Sequence, residues 1–318
     1  GLELTLGAVI VSNDNFSWKT DFNIAHNKNT IKSLGSLTES GTDYYLVPSG
    51  WVNNLFDFKV QVNQPVGTFY GYVTEGRYEV SDFDFNPANS TYKLKEGIPT
   101  TSSVALGNRA AQPGDLKLRD LNGDGIIDTK DQTDLGNAQP KFYGGFNQTF
   151  KYKNFDMSLF FNFSVGNKVY NANKIEFTTK YQYTDQNMLA EMADRWRWFG
   201  DDGVKVTDPT ALAALNANTT KWVPTGGNYF LHSYAIEDGS FLRLNNVTLG
   251  YTLPKDALSV LGITNFRLYA TANNVFTITG YSGYDPEAST RRSTLTPAVD
   301  YAAFPRSRFF LSGVDINF

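Results

Sequence analysis

Phe155-Asp156-Met157-Ser158-Leu159-Phe160-Phe161-Asn162-Phe163-Ser164 reads as a strand with two unlike sides. Side chains of an extended backbone point alternately to opposite faces. Phe155, Met157, Leu159, Phe161 and Phe163 therefore share one face, and Asp156, Ser158, Phe160, Asn162 and Ser164 share the other. The same period recurs on both sides of this stretch. Phe16, Trp18, Thr20, Phe22 and Ile24 oppose Ser17, Lys19, Asp21, Asn23 and Ala25. Leu2, Leu4, Leu6, Ala8 and Ile10 oppose Glu3, Thr5 and Gly7, and Phe266, Leu268, Ala270 and Ala272 oppose Arg267, Tyr269, Thr271 and Asn273. Charges fall only on the second face in all of these segments. Two segments are less regular. Gln148 interrupts the apolar face of Phe142 to Tyr152, and Arg243 and Asn245 share the phase of Val247, Leu249, Tyr251 and Leu253, which a bulge or a rise out of the apolar zone would explain.

The 24 Phe, 18 Tyr and 5 Trp make up 15% of the 318 residues, yet the chain is polar on average. Alternating strands reconcile the two by placing rings on one side. A soluble sandwich also alternates, so connection lengths must decide what wets that side. Taking about nine strands, the breaks at Asn13 to Asn15, Asn63 to Pro65, Lys153 to Asn154 and Pro254 to Ile263 are short. Between them lie long stretches, Asn27 to about Leu55, Glu75 to Pro140, Gly166 to Gly239 and Thr279 to Ser307. Short and long alternate, as in outer-membrane barrels with brief periplasmic turns and extended outer loops. The reading is all-β: an antiparallel transmembrane β-barrel segment with long extracellular loops, spanning residues 1–318. No run of roughly 18 apolar residues offers a membrane helix. The opening Gly1-Leu2-Glu3-Leu4 already lies inside a strand pattern, and the expectation is a piece of something longer.

Within residues 115–137 sits an acidic loop. Counting from Asp120, oxygen-bearing side chains fall at positions 1, 3, 5, 9 and 12, namely Asp120, Asn122, Asp124, Asp128 and Asp131. Gly125 takes the tight-turn position, and Ile126 would add its backbone carbonyl. This spacing predicts a Ca²⁺ loop, because a hard cation wants six or more oxygens and alternate residues of a curling backbone can all point inward. The final ligand is a short Asp and no amphipathic helix flanks the loop, so the expectation is a structural clamp, not a switch.

Other chemistry is thinly represented. Net charge is -4, which leaves no basic surplus for nucleic acid, and cysteine is absent. His26 and His232 are the two histidines, each read as a surface or strand residue because neither sits in a catalytic pattern. Asp201-Asp202 lacks the partner a glycosidase site would need, and no enzyme is expected. The run Arg195-Trp196-Arg197-Trp198-Phe199 could set Trp196 and Trp198 against a substrate or a lid, or pack within its own loop. Arg291-Arg292 could meet an acidic partner or simply be solvated.

Several stretches, in order, resemble the C-terminal part of a SusC/RagA-family TonB-dependent outer-membrane transporter. They are Gly67 to Tyr72, Gly114-Asp115-Leu116-Lys117 through the acidic loop to Gly136-Asn137, Pro140 to Gly145, and Phe155 to Ser158. Asp238 to Tyr251, Asn273-Asn274-Val275-Phe276, Gly283-Tyr284-Asp285-Pro286-Glu287 and Phe304-Pro305-Arg306-Ser307-Arg308 follow. The last strand, alternating from Phe310 to a terminal Phe318, resembles the signal that barrel-insertion machinery recognises.

The resemblance implies a roughly 22-stranded barrel with a plugged lumen, a TonB contact, and a SusD-like surface lipoprotein closing the top. It implies uptake of oligosaccharides or oligopeptides across the outer membrane of a Gram-negative bacterium. No plug domain is recognisable, and the strands are too few to close such a barrel, so the remaining strands and plug are expected from a separate or N-terminal portion. A different class of protein also fits the alternation: a secreted, calcium-stabilised β-sandwich serving as a carbohydrate-binding module or adhesin. In that protein the ring-rich faces would be sealed beneath an opposing sheet.

Overall fold

The computed structural model describes residues 1–318 except 255–257, 259–261 and 291–292. Seven long strands form one antiparallel meander: β1 (Leu2–Ser12), β2 (Phe16–His26), β3 (Phe142–Tyr152), β4 (Phe155–Val165), β5 (Phe241–Thr252), β6 (Asn265–Thr279) and β7 (Phe309–Asn317), neighbours in the sheet in that order. An 11-residue strand is roughly 36 Å long, and at a tilt of about 45° it covers roughly 26 Å of bilayer normal. The sheet is open: β1 pairs with β2 alone and β7 with β6 alone among the described residues.

Register carries the ring-rich face unbroken across the sheet. Phe22 stands opposite Phe146, Phe146 opposite Phe161, and Phe161 opposite Leu244. Phe146 and Phe161 stack with centroids 4.5 Å apart, and Trp18 stacks on Phe150 at 5.7 Å. The expected irregularity in β5 is a bulge at Asn245, where Phe160 pairs with Asn246 but Phe161 with Leu244. The extra residue reverses the phase. Leu242 and Leu244 thereby join Val247 and Leu249 on the ring-rich face, and Arg243 turns to the polar one. In β1 a similar shift between Val9 and Val11 puts Val11 opposite Trp18, so Val11 takes the place expected for Ile10. Gln148 is tolerated on the apolar face because its polar atoms are used locally: its oxygen accepts from the Trp18 indole N–H at 2.7 Å and its amide donates to Thr20.

Among the described residues, no second sheet covers this face. Met157, Leu159, Phe161, Phe22 and Ile24 all remain partly exposed, and neither buried cluster of the molecule contains a residue of the seven strands. The sandwich reading is thereby overturned, and the chain is an antiparallel transmembrane β-barrel segment. No helix among the described residues is long and apolar enough to cross a membrane. The opposite face is polar and cross-linked. Arg267 on β6 reaches over β5 to Asp156 on β4 at 2.6 Å and to Asp315 on β7 at 3.3 Å. Gly250 makes that reach possible, since a Cβ there would lie 2.5 Å from both the guanidinium and the carboxylate.

Short turns join the strands at one end and long connections at the other. Asn13 caps the first turn by accepting from the N–H groups of Asn15 and Phe16, and Lys153, at φ 51°, makes the two-residue turn between β3 and β4. The long connections, residues 27–141, 166–240 and 280–308, fold together into a loop domain of small sheets and short helices. About nine strands were expected, and the difference lies here. Phe56–Gln61 and Thr68–Gly71, read as a barrel hairpin turning at Asn63 to Pro65, instead form the middle of a four-stranded sheet in the loop domain. Phe58 and Phe69 are fully buried there.

The two faces differ in what an arginine would cost. In the intact protein, Phe161→Arg at mid-strand should destabilise the folded barrel by roughly 2–4 kcal/mol, whereas Ser158→Arg on the polar face should be near neutral. Mobility of unheated samples in SDS gels measures the folded fraction. Equal losses from both substitutions would contradict the assignment of faces.

Candidate functional site

Most of the deeply buried side chains among the described residues are in the loop domain, many of them in two aromatic clusters. The first is centred on Tyr78, Leu116, Ile127, Trp196, Leu212 and Trp222. Trp196 is only 3% exposed, so it is not the substrate or lid contact its sequence context suggested. It lies flat on Gly114, where a Cβ would come within 2.2 Å of the indole, and the Arg77 guanidinium covers the ring at 4.7 Å. Next to Gly114, Asp115 takes both arms of Arg109 at 2.6 Å. The Gly114-Asp115 pair is thus a packing and clamping device. Trp198, two residues on, is half-buried, with Tyr92 edge-on at 5.8 Å and the Lys205 ammonium over its ring at 5.4 Å. Asp201 pairs with Arg197 at 2.7 Å.

The acidic loop turns where expected, with Gly123 and Gly125 at φ 76° and 83°. Asp120 accepts from the N–H groups of Gly123 and Gly125 at 2.6 and 2.8 Å. The Gly125 N–H above all, helped by its neighbours, holds the Asp120 carboxyl below the usual range. Asn122 accepts from Asp124 N–H, Asp124 from Ile126 N–H, and Asp128 from Lys130 N–H. Asp131 is fully buried and ties the loop shut, one oxygen accepting from Leu121 N–H and the other from Asp128 N–H, both at 2.8 Å. Ile126 bridges to Thr100, and its side chain is exposed.

The donor set is therefore gathered on one curling backbone, but its carboxylates do not converge. Among the described residues no three acidic or histidine side chains are placed to hold a metal as they stand. The Lys130 ammonium instead lies 3.8 Å from an oxygen of Asp124 and 3.8 Å from one of Asp128.

The histidines divide. His26 donates from Nδ1 to the Lys141 carbonyl at 2.6 Å, while His232 is 2% exposed, packed among Trp222, Phe230 and Tyr234 and hydrogen-bonded to Thr74 at 2.8 Å. Burial lowers the His232 pKa to about 3, so it is a neutral core residue. The Arg291-Arg292 pair lies outside the described residues.

Two constellations escaped the sequence reading because their members are far apart in the chain. The first is a clasp. Arg243, 3% exposed, meets Asp285 and Glu287, each at 2.6 Å, and Arg306 meets the same two at 2.9 and 3.3 Å. It fastens the last long connection to β5 and brings together three of the quoted motifs.

The second is an aromatic cleft of about 680 Å³ to which all three connections contribute: Trp51 from the first, Tyr181 and Tyr229 from the second, Tyr301 from the third. Its floor is held from below. The Trp51 indole donates to Tyr170 Oη at 2.7 Å, and Tyr170 lies against Asp57, which accepts from Ser49 N–H and Oγ at 2.7 and 2.6 Å. Burial, followed by the neighbouring Glu176, Tyr301, Tyr183 and Tyr181, pushes the Tyr229 phenol up to about 12.

The fold and this loop domain define a class: a barrel segment of the outer-membrane type whose connections form an ordered domain at one end. Comparison with known proteins narrows it. No family model matches the chain. It is 31% identical over 325 residues to TonB-dependent receptor P3 of Formosa agariphila, covering all of this chain and 28% of that receptor. It is 25% identical over 323 residues to the TonB-dependent receptor SusC of Bacteroides thetaiotaomicron, covering 26% of it. The RagAB peptide transporter structure matches at a TM-score of 0.68 with 18% identity, over 99% of this chain and 29% of that one. The chain thus spans less than a third of the length of these relatives. It belongs with the TonB-dependent receptors, SusC among them, and corresponds to a part of their length.

Asp57 makes the loop domain sensitive to pH. Burial raises its pKa to about 6 from the ordinary 3.8. The folded state therefore holds this proton more tightly, and the associated stability, on the order of 3 kcal/mol, is present below pH 3.8 and is lost as pH rises through about 6. His232 acts oppositely, its contribution being lost as pH falls from 6.5 towards about 3. The contribution of Asp57 is isolated by difference. Asp57→Asn should be more favourable relative to wild type at pH 7.5 than at pH 4.5, read as loop-domain protease resistance. A difference that does not change with pH would show that Asp57 titrates normally.

Proposed function

We propose that the chain is the C-terminal barrel part of an energised nutrient importer in the outer membrane of a Gram-negative bacterium. The observation that carries this is the ring-rich face of the seven strands, left uncovered by any other layer, in a chain similar over its whole length to TonB-dependent receptors. Unpaired edges on β1 and β7 cannot stand in hydrocarbon, so the remaining strands and the plug come from the rest of the transporter, which also makes the TonB contact. The loop domain faces outward in this reading, towards a SusD-like surface lipoprotein acting as a lid. Trp198, the half-exposed member of its pair, is the residue of that run proposed to touch substrate or lid. Likeness to SusC and to the RagAB peptide transporter supports oligosaccharides or oligopeptides as cargo.

Detergent extraction tests the reading. The intact protein should appear in the outer-membrane fraction, need detergent for release and bring a surface lipoprotein with it on affinity purification. Recovery as a monodisperse soluble protein in plain buffer would sink the importer reading.

The acidic loop is proposed as a Ca²⁺ clip that pins the first connection, with Asp120, Asn122, Asp124, Asp128, Asp131 and the Ile126 carbonyl as ligands. The ordered series of side-chain-to-backbone turns supports it, and the Lys130 ammonium stands where the charge of a cation would be welcome. Lys130 is 68% exposed and free to swing away. Chelation should expose the 75–140 stretch to protease, Asp124→Ala should do the same without chelator, and Lys130→Met should tighten Ca²⁺ binding. Cleavage that ignores both chelator and Asp124→Ala would rule the clip out.

A further inference from the structure

The aromatic cleft has an unusual lining. Its rings meet as walls at an angle: Tyr181 stands at 81° to Tyr229 with centroids 5.2 Å apart, and Trp51 is tilted by 53° to Tyr229 at 5.3 Å. Tyr301 continues the wall, tilted by 42° to Trp51 at 5.2 Å. Glu176 is the one carboxylate in the lining, and neither lysine nor arginine contributes to it. Two other glutamates of the loop domain find cations: Glu191 pairs with Lys221 at 3.1 Å and Glu237 with Lys174 at 3.3 Å. Glu176 has no ion-pair partner among the described residues. Tyr229 is only 8% exposed, and its hydroxyl has no hydrogen-bond partner among the described residues.

We propose that this cleft binds an organic ammonium group. Ring faces are electron-rich and attract a cation placed over them, Glu176 supplies the compensating charge, and the Asn53 and Gln182 amide oxygens can accept from an N–H donor. An anionic ligand would meet the Glu176 charge with no lysine or arginine in the lining to offset it. A neutral sugar could stack on the rings but would leave Glu176 without a counter-charge. Tyr181 and Tyr183, 46% and 51% exposed, leave the cleft open at its mouth. The hydrogen bond from Trp51 to Tyr170 keeps its base in place, so little ordering is lost on binding. Chemically the ammonium could belong to a lysine side chain, an amino sugar or a quaternary amine. The inference stands apart from the import reading, because it is measured as binding to purified protein and not as uptake.

The test uses the intact transporter in detergent, with ligand-observed NMR and tryptophan fluorescence as readouts. Choline should bind at least about tenfold more tightly than its neutral isostere 3,3-dimethyl-1-butanol, and Glu176→Gln and Tyr181→Ala should each remove about tenfold or more of that affinity. Both variants alter partly or largely exposed side chains, and unheated gel mobility verifies that each is folded. Glycyl-lysyl-glycine against glycyl-leucyl-glycine, and glucosamine against glucose, then separate a peptide source from a sugar source. Equal binding of charged and neutral members, absence of choline binding, or affinity unchanged in both folded variants would each overturn the proposal.

Discussion

Hydrocarbon offers no partner for a hydrogen bond, so each backbone N–H and C=O within the spanning part of the seven strands must be matched by a neighbouring strand. The meander from β1 to β7 meets that demand through antiparallel register interrupted only locally, as at Ile10 in β1 and Asn245 in β5. Asn245 shows the logic. One extra residue moves Arg243 off the ring-rich face and into contact with Asp285 and Glu287. Where a polar group does stay on the apolar side, as at Gln148, Trp18 and Thr20 use up its hydrogen-bonding capacity.

A sheet with lipid on one side and a polar interior on the other cannot supply a protein core. The chain consequently builds its cores from its connections. Tyr72 N–H donates to the Leu231 carbonyl and the Tyr72 carbonyl accepts from Ser233 N–H between the first and second connections, and Tyr170 N–H donates to the Ala298 carbonyl between the second and third. Each joint sits beside a dense aromatic cluster. Residues lining any surface of this domain therefore come from distant parts of the chain, as in the cleft shared by Trp51, Tyr229 and Tyr301.

The barrel strands were legible because lipid enforces one rule over a whole strand. Phe155 to Ser164, Phe16 to Ile24 and Phe266 to Ala272 keep their phase, and the structure pairs them as the phase requires. The same rule misled at Phe56 to Gln61, where Phe56, Phe58 and Val60 alternate with Asp57, Lys59 and Gln61. Alternation states that one side is apolar, not whether lipid or protein covers it. Six residues reach only about 20 Å, and Phe58 is sealed by protein. Trp196 illustrates the same ambiguity for the site, since a tryptophan between two arginines reads as a surface platform until Gly114 is seen beneath it.

By itself the sequence determined the spanning strands, the faces they present and the curl of the acidic loop, because each follows from spacing within about a dozen neighbouring residues. Tertiary structure alone decided which aromatic rings are core and which are accessible, where Arg243 finds its carboxylates, and that Glu176 faces a ring of tyrosines without a cation. Those outcomes depend on contacts between residues tens to hundreds of positions apart. No local period encodes such contacts; they are set by how three long connections pack when the sheet holds their ends together.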